Sequence, residues 1–152
     1  MTTHFTLAEF TRSDTAVRLG IDNALPDDLK LAALATLDLL ERIRGRLSAL
    51  AWRDVSVNVT SGYRCATLNQ AVGSSASSDH PRASAADFTA PDFGSPLEVC
   101  RALAPLVEDL GIGQLIHEFG AWVHVSTRYP MQPINRVITV SHAGTVAGIR
   151  EV

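Results

Sequence analysis

The sequence predicts an α+β fold, in which a small and mostly antiparallel sheet is flanked by helices. Three features support this prediction: capped segments with helical periodicity, valine-rich stretches with period two, and a run of strand-like segments after residue 112. The chain has 152 residues, of which 46% are hydrophobic and 19% are charged. These values suit one globular domain that spans residues 1–152.

Two helices are predicted near the N-terminus. Thr6 and Glu9 have the spacing of a capping box, so a short helix begins directly after Thr6. The stretch 26–50 is the longest helical segment, because its leucines recur at helical spacing and its proline and two aspartates suit a first turn. Gly45 interrupts this pattern and marks a point where we expect fraying.

Two more helices are predicted further along the chain. Residues 65–73 form a short helical segment that ends in glycine. Residues 95–111 begin with Ser95 as a cap and end with Gly111 just past the last turn. Pro105 lies inside this second segment, so we expect the helix to kink or split there.

The strand predictions rest on alternation of apolar and polar residues and on the turns between segments. Val55, Val57 and Val59 alternate with polar residues, which is typical of a half-buried strand. Residues 85–90 form a second short strand. Residues 113–119 and 122–128 follow, most simply as a hairpin around a glycine. We expect 135–144 to be an edge strand and the last residues to be a tail.

The hairpin leaves two registers open. A three-residue connection places Glu118 opposite Trp122 and on the same face as His124. A two-residue connection places His117 opposite His124, and His117 then competes as a ligand. A slip of one residue exchanges the two faces of a strand, so the local sequence does not choose between them. Outside that alternative, we expect His117 to be an outward-facing strand residue.

Charge and composition argue against several classes of function. The net charge is −3 and no cluster of basic residues could follow a phosphate backbone, so we expect no nucleic-acid partner. The N-terminus lacks the pattern of a signal peptide, and no window is apolar over the length of a membrane span. We therefore expect synthesis in the cytoplasm without a membrane anchor. Cys65 and Cys100 are expected to be free thiols.

Four polar side chains lie where strands can direct them into one site. In the segment 85–89, alternation turns Asp87 away from the core face that Phe88 occupies. In the segment 122–126, Val123 and Val125 take one face, and His124 shares the other face with Trp122 and Ser126. His80 lies in a polar loop just before Asp87, and Glu118 closes the preceding strand.

Two imidazoles and one carboxylate are a ligand set typical of catalytic zinc. Such a set leaves a fourth position open for water, and the metal lowers the pKa of that water to about 7. A nearby glutamate would accept the proton and later pass it to the leaving amine. His80, Asp87, His124 and Glu118 supply these groups.

The longer stretches around these residues resemble a known family. SGYRCATLNQAVGSSASSDHPRASAADF (61–88) and QLIHEFGAWVHVS (114–126) resemble the zinc D-Ala-D-Ala carboxypeptidase and L-alanyl-D-glutamate endopeptidase family. That family includes vancomycin-resistance dipeptidases and phage endolysins, and it is related in fold to Hedgehog domains. The similarity extends from residue 5 to about residue 128. The resemblance therefore implies a Hedgehog/DD-peptidase-like fold.

The resemblance also implies roles for individual residues. One zinc ion would be held by His80, Asp87 and His124. Glu118 would be the catalytic base. Arg64 would hold a substrate carbonyl or carboxylate and the developing oxyanion, which suits the forked geometry of a guanidinium.

One position departs from the family pattern. The spacing between two of the site residues also differs between branches of the family. Ala83 stands where the family usually has glycine, so a positive φ there would strain the loop. We expect a shifted loop rather than an inactive site. The spacing of Glu118 and His124 is longer than in the dipeptidase branch and is more similar to the phage-type branch.

By this resemblance, the protein is expected to be a zinc metallopeptidase that hydrolyses peptidoglycan stem peptides. The bond is either D-Ala-D-Ala or L-Ala-D-Glu, and both stay open. A phage or prophage lysis enzyme, monomeric and acting on the cell wall after release, fits best; a virion-associated component is a variant of this hypothesis. The rivals are a non-catalytic wall-binding or phage structural domain on the same fold, and a cysteine hydrolase built on Cys65.

Overall fold

Among the residues that the structure describes, the sheet has six strands and is antiparallel except at one pair. The computed structural model describes residues 3–127 and 136–152. The strand order is β1-β2-β4-β3-β5-β6, and only β3 and β5 run parallel. The strands are β1 (Asn58–Ser61), β2 (Ala85–Thr89), β3 (Ile112–Glu118), β4 (Trp122–Thr127), β5 (Arg136–Ser141) and β6 (Gly144–Ala147). The predicted α+β class and mostly antiparallel sheet are therefore confirmed.

Six α-helices occur in the described residues, with three short 3-10 turns. They are α1 (Leu7–Thr11), α2 (Asp14–Leu19), α3 (Lys30–Ala51), α4 (Ala66–Ala71), α5 (Pro96–Leu103) and α6 (Val107–Leu110). The capping box of α1 is present, since the Thr6 hydroxyl accepts from the backbone N–H of Glu9 and the Glu9 carboxylate accepts from that of Thr6. Pro105 lies in a 3-10 turn that separates α5 from α6, as its position predicts.

One face of the sheet packs on helices and the other is open. Helix α5 packs against both central strands, β3 and β4, while α3 packs against β4 and α6 against β3. The residues of β2, β3 and β4 that join the helices in the core share the buried face: Ala86, Phe88, Leu115, Val123 and Val125. Because side chains alternate along a strand, the residues between them line the opposite face. That opposite face forms the floor of a cleft.

The C-terminal part of the chain differs from its prediction. The strand that begins at Arg136 is not at the edge, since β5 pairs with β3 on one side and with β6 on the other. The part of the predicted segment before Arg136 lies outside the described residues. The residues expected to be a tail instead return along β5 as β6, which is the edge strand. A turn at Gly144, with φ of 121°, permits this return.

Two smaller differences concern element boundaries. Helix α3 continues without a break through Gly45, so the expected fraying does not occur. Strand β1 begins only at Asn58, although Val55 and Val57 are buried as their alternation predicts. None of the helices in the described part of the chain combines the length and apolar character that a membrane crossing requires.

Gly62 lies just after β1 and packs directly against Phe10 of helix α1. A β-carbon at Gly62 would overlap the carbonyl oxygen and the ring of Phe10. That carbonyl accepts a hydrogen bond of 2.8 Å from the backbone N–H of Tyr63. Phe10 is fully buried, so neither group has room to move. Only glycine therefore fits at position 62.

We expect Gly62→Ala to lower the free energy of unfolding by about 1–3 kcal/mol, since the added methyl overpacks the core. Gly45→Ala is the matched control, because a β-carbon at Gly45 meets nothing within 4 Å. This control should gain about 0.5–1 kcal/mol from the higher helix propensity of alanine. Denaturant unfolding of both variants measures the difference. Equal stability of the two would contradict the described packing of α1.

Candidate metal centre and cleft

Three buried side chains meet on the open face of the sheet. His80 begins a 3-10 turn, Asp87 lies in β2 and His124 lies in β4. Asp87 and His124 are direct partners in the antiparallel register of β2 and β4. The three side chains each offer a ligand atom, and these atoms all lie within 4.8 Å of one another. The structure thus brings together the three residues that were predicted from the sequence to be metal ligands.

A backbone carbonyl fixes the orientation and tautomer of His80. Its Nδ1 lies 2.6 Å from the carbonyl oxygen of Gly62, and a carbonyl oxygen can only accept, so Nδ1 carries the hydrogen. In the neutral ring, Nε2 is then a bare lone pair. This atom is buried and has no hydrogen-bond partner among the described residues, although it lies 3.3 Å from Oδ2 of Asp87. Two acceptors facing each other in a buried site favour a cation near both.

Asp87 is held between the two imidazoles. Its Oδ1 lies 2.8 Å from Nδ1 of His124. Burial alone would raise the pKa of the Asp87 carboxyl, but the two neighbouring imidazoles hold it well below its usual range. Burial would lower the pKa of His124, but its hydrogen bond to Asp87 and the negative charge there raise it. Asp87 is therefore a stable carboxylate.

These residues fit a divalent metal ion. In a tetrahedral site with metal–ligand bonds of about 2.0–2.1 Å, neighbouring ligand atoms lie about 3.3 Å apart. The distance from Nε2 of His80 to Oδ2 of Asp87 is 3.3 Å, and the ligand atoms of all three residues lie within 4.8 Å of one another. Because Nδ1 of His80 donates to the Gly62 carbonyl, Nε2 is the ring atom that a metal would bind, and Asp87 supplies the ionised carboxylate that such a site requires.

The hairpin adopts the register with a three-residue connection. Glu118 lies opposite Trp122 in the pairing of β3 and β4, and the indole Nε1 of Trp122 donates to Oε2 of Glu118 at 2.9 Å. Phe119 and Gly120 make the turn with φ of 53° and 67°. Glu118 therefore lines the same cleft as His124.

His117 lies on the opposite face and is not outward. It is 2% exposed, and its Nδ1 donates to the carbonyl oxygen of Arg150 at 2.9 Å. The prediction of an outward residue was wrong because the last residues of the chain pass over this face. Thr139, the partner of His117 in β5, accepts from the backbone N–H of Arg150 and donates to the carbonyl of Gly148.

Arg64 is placed beside the cluster by polar side chains. Its guanidinium donates to Asn69 and Ser61 at 3.2 Å each and to Ser74 at 3.5 Å. Nη1 lies 3.8 Å from Oδ2 of Asp87. Burial lowers the pKa of Arg64, with Asp87 and Glu118 acting in the opposite direction, and a guanidinium stays charged under such a shift. A cation is thus fixed close to the cluster.

Asn23 supports Arg64, and the sequence alone did not identify it. Its amide nitrogen donates to the carbonyl of Tyr63 at 2.9 Å, and its amide oxygen accepts from the backbone N–H of Cys65 at 2.8 Å. These two partners are the neighbours of Arg64 on either side. Asn23 therefore fixes the backbone from which Arg64 extends. Asn23 lies in a loop 41 residues before Arg64 in the sequence. Apart from its polar side chain, nothing in the neighbouring residues indicates a role at the site.

Ala83 has the backbone conformation that glycine would favour. Its φ is 56°, in the left-handed region, and its side chain is fully buried. The Thr36 hydroxyl of helix α3 donates to the carbonyl oxygen of Ala83 at 2.7 Å. The expected strain at this position is therefore present, and it coexists with an assembled cluster because α3 holds the turn after His80 in place.

The cleft around the cluster has a volume of about 1000 Å³. Arg64, Glu118 and Trp122 line it together with the three cluster residues. Cys65, in contrast, is used as a helix cap, since its Sγ accepts from the backbone N–H of Leu68 at 3.5 Å. Both cysteines are free, and Cys100 is buried, which raises the pKa of its thiol to about 12.

Comparison with known proteins identifies the family of the chain. A family model described as Peptidase M15 matches residues 3–138, which include the three cluster residues and both Arg64 and Glu118. The search of curated proteins finds no match. The match covers most of the sequence, and we conclude that the chain belongs to the Peptidase M15 family.

Proposed function

We propose that the protein is a zinc-dependent peptidase that hydrolyses peptidoglycan stem peptides. The observation that carries this proposal is the buried Nε2 of His80, which has no hydrogen-bond partner in the described part of the chain and faces the Asp87 carboxylate beside His124. Membership in a peptidase family supports the type of reaction. Zinc would be bound by His80, Asp87 and His124, and when bound it would supply a polarised water and a Lewis acid for the scissile carbonyl.

Glu118 acts as general base and then as general acid. It lies on the same face as His124, and the indole of Trp122 holds one of its carboxylate oxygens in place. A carboxylate accepts at several lone pairs, so Glu118 can accept a proton from the attacking water while keeping this bond. It then returns the proton to the departing amine.

Arg64 stabilises the negative charge that develops on the substrate oxygen. Its guanidinium is already oriented by Ser61, Asn69 and Ser74, so little reorganisation accompanies the reaction. Asn23 supports it by holding the backbone on both sides.

The substrate and setting follow from the sequence resemblance. Stem peptides would be cut at the D-Ala-D-Ala bond or between L-Ala and D-Glu. The phage-type spacing of Glu118 and His124 supports a phage or prophage lysis enzyme, monomeric and acting on the cell wall after release, or a virion-associated component of related function.

The first prediction from the proposed function concerns metal binding. His80→Ala and His124→Ala should each weaken zinc binding by more than about 100-fold, since each removes a direct ligand. Zinc content after dialysis, together with titration against a chelator, measures this. His117→Gln is the matched control, because His117 lies on the opposite face, and it should bind zinc as the wild type does. Normal zinc content in His124→Ala would sink the assignment.

The second prediction separates the base from the ligands. Glu118→Gln should keep zinc but lower kcat by about 10²–10⁴-fold, as expected for loss of a general base. The substitution keeps the shape of the side chain and an acceptor for Trp122. Zinc content and steady-state kinetics on stem peptides measure both effects. Loss of zinc in Glu118→Gln would show that Glu118 is a ligand.

The third prediction concerns the substrate. Mass spectrometry of purified muropeptides should show cleavage by the zinc-loaded protein, no cleavage in the presence of chelator, and no inhibition by iodoacetamide. The mass of the product identifies the bond. Binding of muropeptides without cleavage would instead favour a non-catalytic wall-binding domain, and sensitivity to iodoacetamide would favour a thiol enzyme.

A further inference from the structure

The cleft extends beyond the metal cluster across strands β3 and β5. In the register of the sheet, His124 is paired with Ile116, and Ile116 with Ile138. Both isoleucines line the cleft and are 8% exposed. They form an apolar strip that leads away from the cluster, on the side opposite to Arg64 and β1.

A second row of residues runs beside this strip. In this row, Gln114 of β3 pairs with Ser126 of β4 on one side and with Arg136 of β5 on the other. Each of these residues lies two positions along its strand from the row that contains His124. All three line the cleft. The strip therefore has a polar border, and an exposed arginine ends it.

Arg136 differs from the other two arginines of the cleft. Arg64 lies 3.8 Å from Asp87, and Arg82 lies 3.4 Å from Asp79. Among the residues that the structure describes, no carboxylate lies within ion-pair distance of Arg136. Its charge is available to a ligand, and a guanidinium matches a carboxylate with two parallel hydrogen bonds.

The spacing of the sheet sets how far from the cluster such a carboxylate would lie. Strands are about 4.8 Å apart and two residues along a strand span about 6.7 Å, so the Cα atoms of Arg136 and His124 are about 12 Å apart. An extended peptide advances about 3.3–3.6 Å per residue, and the arginine side chain covers part of the distance. A carboxylate two to three residues from the scissile bond would reach Arg136.

We propose that Arg136, with Gln114 beside it, forms a subsite for a carboxylate of the substrate two to three residues from the scissile bond. Ile116 and Ile138 pack against the small apolar side chain between that carboxylate and the bond. This inference rests on the proposed peptidase function and makes it specific, since the substrate is an acidic peptide that extends past the metal on the β5 side.

The test is peptide binding, measured apart from cleavage. Zinc-loaded Glu118→Gln protein is titrated by calorimetry with a stem pentapeptide and with versions in which one carboxylate at a time is a carboxamide. One amidation should weaken binding by about 10- to 100-fold, the value of a charge-assisted pair. In the Glu118→Gln background, Arg136→Gln should weaken binding of the unmodified peptide by the same factor as that amidation does. In this double variant, the same amidation should have no further effect on binding. Arg136→Lys should keep part of the affinity for the unmodified peptide, because lysine retains the positive charge.

Arg82→Gln is the matched control, because Arg82 lines the same cleft but is paired with Asp79. It should keep the full effect of amidation. Unchanged binding in Arg136→Gln, the same amidation effect with and without Arg136, or no binding of any peptide would overturn the subsite. Cleavage by zinc-loaded wild type is assayed in parallel. Cleavage without an Arg136 effect rejects the subsite alone, and binding with an Arg136 effect but no cleavage rejects the peptidase alone.

Discussion

The site depends on one buried carboxylate, Asp87, which is held between two imidazoles. A carboxylate in such a place is costly unless positive charge compensates it. His124 provides a hydrogen bond of 2.8 Å on one side. On the other side, the Gly62 carbonyl fixes a hydrogen of His80 on Nδ1, so the ring in its neutral form turns a lone pair rather than a donor toward Asp87. This arrangement is unfavourable for an empty, neutral site and favourable for one that holds a cation.

The surrounding fold is built to keep His80 in that orientation. The Gly62 carbonyl belongs to a segment that packs directly on Phe10, so helix α1 sets its position. The turn after His80 ends in Ala83 with a positive φ, and the Thr36 hydroxyl of α3 holds its carbonyl. Backbone strain at a site that the surrounding structure over-determines is typical of functional positions. Helices α1 and α3 thus position the backbone carbonyls of Gly62 and Ala83 on either side of His80, although they contribute none of the three cluster residues.

Much of the fold could be predicted because its signals are local, whereas the cluster was predicted from local alternation together with the family resemblance. Alternation in 122–126 places His124 on the open face, and capping residues locate the ends of helices. The missed features depend on contacts distant in sequence. Asn23 reaches Tyr63 and Cys65 across about forty residues, and His117 is buried because the C-terminal residues cover it. Period-two patterning tells which residues share a face but not what later covers that face.

The length of one turn decides which residue of β3 can take part in catalysis. Glu118 and His117 are neighbours on a strand, so they face opposite sides of the sheet. With three residues in the connection, Glu118 pairs with Trp122 and lies one step along from the row that contains Asp87 and His124. A two-residue connection would have turned His117 to the cleft and buried Glu118 beneath the C-terminal residues. An acid beside the cluster, rather than a third imidazole, is therefore a consequence of turn geometry at Phe119 and Gly120, which both have positive φ.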